Sequence, residues 1–414
     1  MSFYRMVKLR RMKNLVNLTL ITIWLMLSSR GITAQDDRRL SWQGSFKSRL
    51  FAIHSPFELD KHQAHSKVWS SSARLKVLYQ QSDQISWEAA YDLSLRYRSQ
   101  IEVLPADLST STFKYRIFDL NQKVAAHRFG DESDLYSYHN LDRVIAIWSK
   151  DTFDLLVGRQ PISFGSARLV NPTDVFLPYA ITAVDQEERE GVDAIRLQLP
   201  IGAMGELDIG VVIGEHGKAD NSAAFLRLLY PVAGQDIALM FVNFRQNTLW
   251  GIDVQGALSG AGIWLESAYV KPNHGASYLR YSLGSDYSFS DNWYGFIEYY
   301  HNGAGSLSHK NYLSRSTMSA YQEGGVFLLG REYLSLGASY QLSALLTLSQ
   351  HITANLNDRS LLLSPKIEWN FLEDHYLEAG IFYGLGSSSN SYLEINSEFG
   401  AYSKTIYLGY RTYL

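Results

Sequence analysis

The 414-residue chain contains no cysteine, which excludes disulfide bonds, thiolate metal sites and a lipoprotein attachment site. No run of 18 or more apolar residues follows position 34, so the sequence predicts no membrane-spanning helix beyond that point. A formal charge of −3 also gives no basic footprint for nucleic acid. The fold must therefore be held by its backbone hydrogen bonds, and no nucleic-acid partner is predicted.

The first 34 residues have the pattern of a cleaved signal peptide. Basic residues lie between Arg5 and Lys13, an apolar stretch covers Leu15–Leu27, and small residues end at Thr33-Ala34. Cleavage is expected after Ala34, with residues 35–414 forming a single exported domain; an uncleaved anchor is the alternative. Since the apolar stretch is shorter than the ~20 residues of a spanning helix, it favours a signal peptide.

Residues Ile85–Arg98 alternate between apolar and polar side chains at period two, as a strand with one apolar and one charged face does. Similar stretches recur to the C-terminus, each long enough to cross a membrane as a tilted strand of ~9–11 residues. The fold class predicted is all-β, a transmembrane antiparallel β-barrel in the bacterial outer membrane. Residues predicted to face the outer-membrane lipid include Trp87, Leu93, Leu197, Ile263, Trp369 and Leu408.

About eighteen strands are predicted, with 16 or 20 as alternatives; twenty would require Phe113–Leu120 to join the wall with a partner. The predicted strands are Ser41–His54, Lys67–Tyr79, Ile85–Arg98, Leu141–Ser149, Phe153–Gln160, Val192–Leu199, Glu206–Glu215, Ala223–Tyr230, Asp236–Arg245, Leu249–Leu258, Gly262–Lys271, Tyr278–Phe289, Trp293–His301, Glu332–Gln341, Ala344–Leu356, Arg359–Phe371, Tyr376–Leu385 and Tyr402–Tyr413.

The connections alternate between short turns, assigned to the periplasmic side, and longer segments, which parity makes external. Charged side chains on the non-lipid face are predicted to line the lumen: Lys76, Glu88, Arg96, Arg98, Arg196 and Asp208. Two opposite-charge pairs, Arg196 with Asp208 and Lys76 with Glu88, match across short turns and favour this register. Chance placement of surface charges is the alternative reading of each pair.

The third external connection, residues 161–191, is too apolar for a loop in water and is expected to fold into the lumen. Its glycines, Gly165 and Gly191, permit close backbone approaches. The acidic run Asp185–Glu190 is expected to be a solvated loop face rather than a cation site, because spacing alone shows no converging oxygens.

The stretch Gly158-Arg159-Gln160, followed by Phe164-Gly165 and then Asn171-Pro172-Thr173-Asp174, resembles a loop of Gram-negative porin-like barrels, with polysaccharide-export barrels as broader relatives. The resemblance covers about residues 139–200. It implies a pore constriction formed by Arg159, Arg168, Asp174, Asp185, Glu187, Glu188 and Arg189, whose opposite charges would create a transverse field. For Arg159 and Asp174, a purely structural tie between loop and wall is the alternative.

The function predicted is a passive or gated diffusion channel for small solutes, without cofactor, metal or catalytic residue. Two alternatives remain: an export barrel for polysaccharide or an apolar product, and a surface receptor or adhesin. A periplasmic partner or a homo-oligomer is compatible with each. Catalysis is disfavoured because His301, Ser306, Ser308 and His309 come without a nucleophile motif.

Overall fold

The computed structural model describes residues 39–56, 65–99, 115–118, 122–129, 133–178, 180–388 and 394–414. Within these residues, nineteen strands form one antiparallel sheet. The predicted signal peptide lies outside the described residues, and its cleavage stays a prediction.

The strands are β1 (Leu40–His54), β2 (His65–Gln80), β3 (Ile85–Arg98), β4 (Gln122–Phe129), β5 (Ser133–Lys150), β6 (Phe153–Gln160), β7 (Val192–Ile201), β8 (Gly205–Ile213), β9 (Ala223–Val232), β10 (Gln235–Phe244), β11 (Asn247–Leu258), β12 (Ala261–Lys271), β13 (Tyr278–Ser290), β14 (Trp293–Asn302), β15 (Glu332–Ser343), β16 (Leu346–Asn355), β17 (Ser360–Leu372), β18 (His375–Leu385) and β19 (Lys404–Tyr413).

The sheet closes into a barrel because β1 pairs on both sides: Leu50 lies opposite Trp69 of β2 and opposite Leu408 of β19. Closure leaves the wall without an unpaired edge, so its backbone groups are satisfied between strands. The wall contains 18 of these strands. The strand outside it is β4, which pairs only with the external extension of β5. The other edge of that extension pairs with β3. The prediction of an 18-strand barrel is confirmed.

The largest boundary error concerns β5, which was predicted to start at Leu141 and starts at Ser133. Its first residues pair with β3 as far as Arg98. The apolar alternation fails there because the polar ring of His139 lies 2.9 Å from the hydroxyl of Tyr91, an exposed residue of the outer face. Of the segment Phe113–Leu120, the described residues 115–118 are not in a strand, and the others lie outside the described residues.

Asp142 is the extra residue of a β-bulge in β5, because Ala90 lies opposite Arg143 and Tyr91 opposite Leu141. A bulge turns two successive side chains toward the same face. Asp142 and Arg143 are both buried as a result. This irregularity places an additional carboxylate inside the barrel.

The outer face of the wall is apolar, as predicted. Trp87, Trp369 and Leu408 are 44%, 48% and 53% exposed. Leu93, Leu197 and Ile263 are partly covered and share their faces with the exposed Tyr91, Ile195 and Leu265.

Two short helices, α1 (Tyr312–Ser316) and α2 (Ser319–Gln322), lie in the external connection between β14 and β15. Single 3-10 turns occupy Glu215–Gly217, Ala219–Asn221, His309–Asn311 and Phe399–Ala401. Among the residues described, no helix is long and apolar enough to cross a membrane.

An apolar core lies on the inner side of the wall, which the period-two reading did not predict. In β10 the outward Leu239 and Phe241 are exposed, whereas the intervening Met240 and the following Val242 are buried. Strands apolar on both faces require a covering on both. Ile162, Phe164, Val175 and Phe176 of segment 161–191 are buried in the same cluster as Met240 and Val242.

Candidate functional site

The apolar half of segment 161–191 packs against buried side chains of β8–β12. Ile162, Phe164, Val175 and Phe176 are buried in one cluster with Val212, Phe225 and Val242. The ring of Phe176 lies 5.8 Å from that of Phe164 and 6.0 Å from that of Phe225, between centroids. Burying these side chains removes apolar surface from water, which is the reason the segment was expected to leave solvent.

Glu266 of β12 holds the backbone of the segment. Its carboxylate accepts hydrogen bonds from the N–H groups of Ser166 (3.1 Å), Ala167 (3.2 Å) and Thr173 (2.8 Å), and from the Thr173 hydroxyl (2.7 Å). Gly165 has φ +102°, and a Cβ at this position would collide with the Glu266 carboxylate. The close approach predicted at Gly165 is confirmed.

Further inward-facing side chains repeat this arrangement along β13 and β14. Glu298 accepts from the N–H groups of Arg168 (2.6 Å) and Leu169 (3.0 Å). Arg280 donates to the Pro172 carbonyl at 2.6 Å, and the Ser282 hydroxyl to the Val170 carbonyl at 2.8 Å. The Arg168 guanidinium itself turns away to Asp286, at 2.8 Å.

Asp174, the acid of the Asn-Pro-Thr-Asp motif, is 1% exposed and bonded within the segment. One carboxylate oxygen accepts from the N–H groups of Phe176 (3.2 Å) and Leu177 (3.1 Å), and the other from Arg189 at 2.7 Å. Burial raises the pKa of the Asp174 carboxyl, and Arg189 opposes that rise. Asp174 and Arg189 therefore join the outgoing and returning parts of the segment and neutralise each other.

Arg159, at the end of β6, is buried at the root of the segment. It donates to both carboxylate oxygens of Asp193 (2.7 and 3.1 Å) and to the carbonyls of Leu141 and Phe118 (2.8 Å each). This geometry fits the structural alternative for Arg159, a charge-assisted tie to the wall.

The acidic run contacts cations of the first and last strands. Lys47 of β1 lies 2.9 Å from Asp185 and 2.7 Å from Glu187, and Arg49 lies 3.0 Å from Asp185. Arg411 of β19 contacts Glu187 at 3.3 Å. Burial alone would raise the pKa of both carboxyls, but the neighbouring cations outweigh it and hold the pKa of Asp185 and of Glu187 below the ordinary range.

Of the remaining acids of the run, Glu188 pairs with cations of β2 and β5, and Glu190 lies 3.6 Å from Arg116. Glu188 lies 3.3 Å from Arg143 and 3.5 Å from Arg74, and Gly191 N–H donates to Asp142 at 2.9 Å. A Cβ on Gly191 would collide with the Asp142 carbonyl, as the predicted close approach requires. Glu187, Glu188 and Glu190 are exposed, as a solvated loop face requires, and Glu187 and Glu188 are in addition ion-paired with cations of the wall.

Both predicted lumen pairs are in contact. Arg196 donates to Asp208 through three hydrogen bonds of 2.6–3.1 Å, and Lys76 Nζ lies 3.2 Å from Glu88. Each pair is diagonal rather than directly opposite: Asp208 faces Gln198, and Glu88 faces Leu78 in the register. Arg98 lies at the external end of β3, opposite Val68.

A cavity of about 570 Å³ lies between the acidic run and strands β1, β2, β3 and β5. Its lining includes Ser45, Lys47, Ser70, Ser72, Arg74, Asp92, Ser94, Arg96, Tyr138, Asn140, Asp142, Asp185, Glu188 and Glu190. Of these, only Arg96, Asp185 and Glu188 were predicted as site residues. Inward parity could have indicated Lys47, Arg74 and Asp92, whereas the bulge that turns Asp142 inward leaves no sequence signal.

The closed 18-strand antiparallel barrel has an apolar outer face and a charged interior, which defines the class of its fold: a porin-like β-barrel. The solved structures that this chain resembles have the same class of fold. The chain is similar to OccAB4 of Acinetobacter baumannii (TM-score 0.54, 10% identity, covering 91% of this chain and 98% of that one). It is also similar to OccAB1 of the same organism (0.54, 9%, 91% and 96%) and to OccK7 (OpdD) of Pseudomonas aeruginosa (0.53, 11%, 90% and 99%).

At such identities the likeness establishes the fold alone. No family model matches the sequence, and no curated protein matches it either. The solute and the direction of transport therefore have to be argued from this chain's own residues.

Proposed function

We propose that this protein is a diffusion channel for small polar solutes and that segment 161–191 narrows its lumen. The proposal is carried by one observation: the segment contacts two distant parts of the wall. Residues 166–173 contact β11–β14. Residues 185–191 contact β1, β2, β5 and β19. A segment tied at both places runs across the barrel and leaves the lined cavity as the passage beside it.

The charges around that cavity support selection by a local field. Glu188 and Glu190 of the segment have side chains 46% and 55% exposed, while Arg96 is exposed on β3. Opposite charges on two sides of a narrow passage create a transverse field, which orients dipolar solutes and sorts ions. Hydroxyl groups of Ser70, Ser72 and Ser94 add neutral hydrogen-bonding positions.

In this proposal Asp174 and Arg189 are structural residues, because their charges neutralise each other inside the segment. Arg159 has the same structural role at the start of the segment, through its ion pair with Asp193. The solute-facing charges are then Glu188, Glu190 and Arg96, with Lys47, Arg74 and Asp185 behind them. The proposal contains no catalytic step and no cofactor.

The test is single-channel recording of the purified protein in planar bilayers, with reversal potentials measured in a salt gradient. Glu188→Gln is expected to shift the preference toward anions and Arg96→Gln toward cations, since each removes one sign from the passage. Glu215→Gln, in an external turn that does not line the cavity, is the matched control and should leave selectivity unchanged.

Deleting residues 180–184 is expected to raise the conductance, because it shortens the segment between its two attachments. Unchanged conductance and selectivity in all of these variants, with the barrel folded and inserted, would overturn the constriction. A wild-type protein that inserts but conducts no ions would overturn the channel itself and favour the export or receptor alternatives.

A further inference from the structure

Four basic side chains interrupt the apolar pattern on the outer face of β19, β1 and β2, at the external ends of these strands. They are Lys404, His54, His65 and Lys67, and each is exposed. Alternate residues of a strand share a face. The same faces carry Ile406 and Leu408 in β19, Leu50 in β1 and Trp69 in β2, all exposed toward the lipid. The basic residues therefore form a row directly above the lipid-facing band.

The register brings the four side chains together. His54 lies opposite both Lys404 and His65, and the two imidazole rings stack with centroids 4.5 Å apart. Lys67, opposite Ala52, is two residues from His65 along β2. Lys404 Nζ lies 4.8 Å from the ring centroid of Tyr383, an outward residue of β18. Because neighbouring strands are about 4.8 Å apart, the row is compact enough for a single headgroup.

Within the described part of the chain, no carboxylate forms an ion pair with any of these four residues. The external ends of β14 and β15 differ. There the outward His301 is paired with Glu332 at 3.1 Å, and the Tyr299 hydroxyl bonds to the same carboxylate. Among the described residues, a basic cluster without ion-paired carboxylates therefore lies at the β19–β1–β2 rim and not at the β14–β15 rim.

We propose that this rim binds the phosphorylated headgroup of an outer-leaflet glycolipid. The apolar band below it faces acyl chains, so the row lies at headgroup level, where Tyr383 also fits an interfacial aromatic residue. Lysine ammonium groups and imidazole N–H groups donate to phosphate oxygens, and such bonds are strong when charge-assisted. Acyl chains of the same lipid would lie over Leu50, Ile406 and Leu408, which commits the site to a lipid rather than to free phosphate.

The experiment is native mass spectrometry of the full barrel in detergent, titrated with bis-phosphorylated lipid A, with dephosphorylated lipid A and with inorganic phosphate. The wild type is expected to retain the phosphorylated lipid and to release the dephosphorylated one. The double variant Lys67→Ala/Lys404→Ala should weaken retention by a factor on the order of 10 to 30, from two lysines near a phosphate.

Lys271→Ala is the matched control, since Lys271 is an outward, exposed lysine at the external end of β12. It should leave retention unchanged, and Lys67→Arg/Lys404→Arg should restore it. Equal retention of both lipids by the wild type, an unaffected double variant, or an equal loss in Lys271→Ala would each overturn the site. Displacement of the lipid by inorganic phosphate at equal concentration would overturn the lipid as its ligand.

Discussion

Lys47 of the first strand and Asp185 of the long segment are 138 residues apart in sequence, yet the ammonium nitrogen lies 2.9 Å from the carboxylate. The same nitrogen reaches Glu187 at 2.7 Å. A single buried lysine of the wall thus holds two acids of the segment on the side of the barrel opposite to Glu266. In the proposed channel, the mobility of the segment is expected to depend on this double attachment.

Replacing Lys47 with alanine is expected to loosen the segment without releasing it, because Arg49 still pairs with Asp185 and Arg411 with Glu187. In single-channel recordings the variant should show more open-channel current noise and brief closures. Lys76→Ala is the control, since Lys76 pairs with Glu88 of the wall rather than with the segment. Equal noise in the two variants would contradict the role of Lys47.

Acidification is expected to have little effect on the current noise until the pH falls below about 4. Because the cations hold the pKa of Asp185 and Glu187 below the ordinary range, their contribution is present above the ordinary carboxyl pKa of ~4 and is lost as the pH falls through the lowered values. Current noise should therefore stay constant from pH 7 to about 4 and rise below it. Asp185→Asn should be noisier already at neutral pH; noise rising in the wild type between pH 6 and 5 would contradict the assignment.

Because of Glu398, the stability of the external connections is expected to depend on pH near neutrality. It is buried and accepts hydrogen bonds from Leu329 N–H (2.7 Å), Asn355 Nδ2 (2.8 Å) and the Tyr333 hydroxyl. Burial raises the pKa of its carboxyl from 4.5 to about 7. The closed form therefore keeps a proton that an opened form releases, so closure is favoured at low pH and weakened as the pH rises through 7.

Hydrogen exchange, corrected for the intrinsic pH dependence of the rates, checks this at residues 326–332 and 394–403. Protection is expected to be lower at pH 8 than at pH 5, by up to about 3 kcal/mol in local opening free energy. Glu398→Gln should abolish the difference. A pH dependence that persists in this variant would assign the effect to another group.

Two adjacent residues of β3 test the two faces of the wall. Leu93 shares the outward face of Trp87 and Tyr91, whereas Ser94 lines the cavity. Leu93→Arg should cost up to ~2–4 kcal/mol if the site is near the bilayer midplane, and Ser94→Arg should cost far less because the inserted charge meets water. Denaturant titration of the refolded barrel in lipid gives both values. Equal costs would mean that the faces are wrongly assigned.

Much of the wall could be predicted from the sequence because period-two alternation is a local property. Any strand between lipid and a polar lumen shows it, as Ile85–Arg98 does. Two features of β5 do not follow this pattern. The first residues of β5 place the polar His139 against Tyr91 on the outer face, and the bulge at Asp142 breaks the period in a way that spacing alone does not reveal.

The site was predicted less well, since it depends on pairs far apart in the chain. The sequence shows residues 185–190 only as an acidic run, and barrel closure brings Lys47, Arg74, Arg143 and Arg411 against it. Alternation determined the faces and the strand number, and composition determined the apolar character of segment 161–191. The tertiary structure alone decided which wall charges meet which loop charges, because that depends on ring closure and on the path of the segment between distant strands, and neither is encoded by local periodicity.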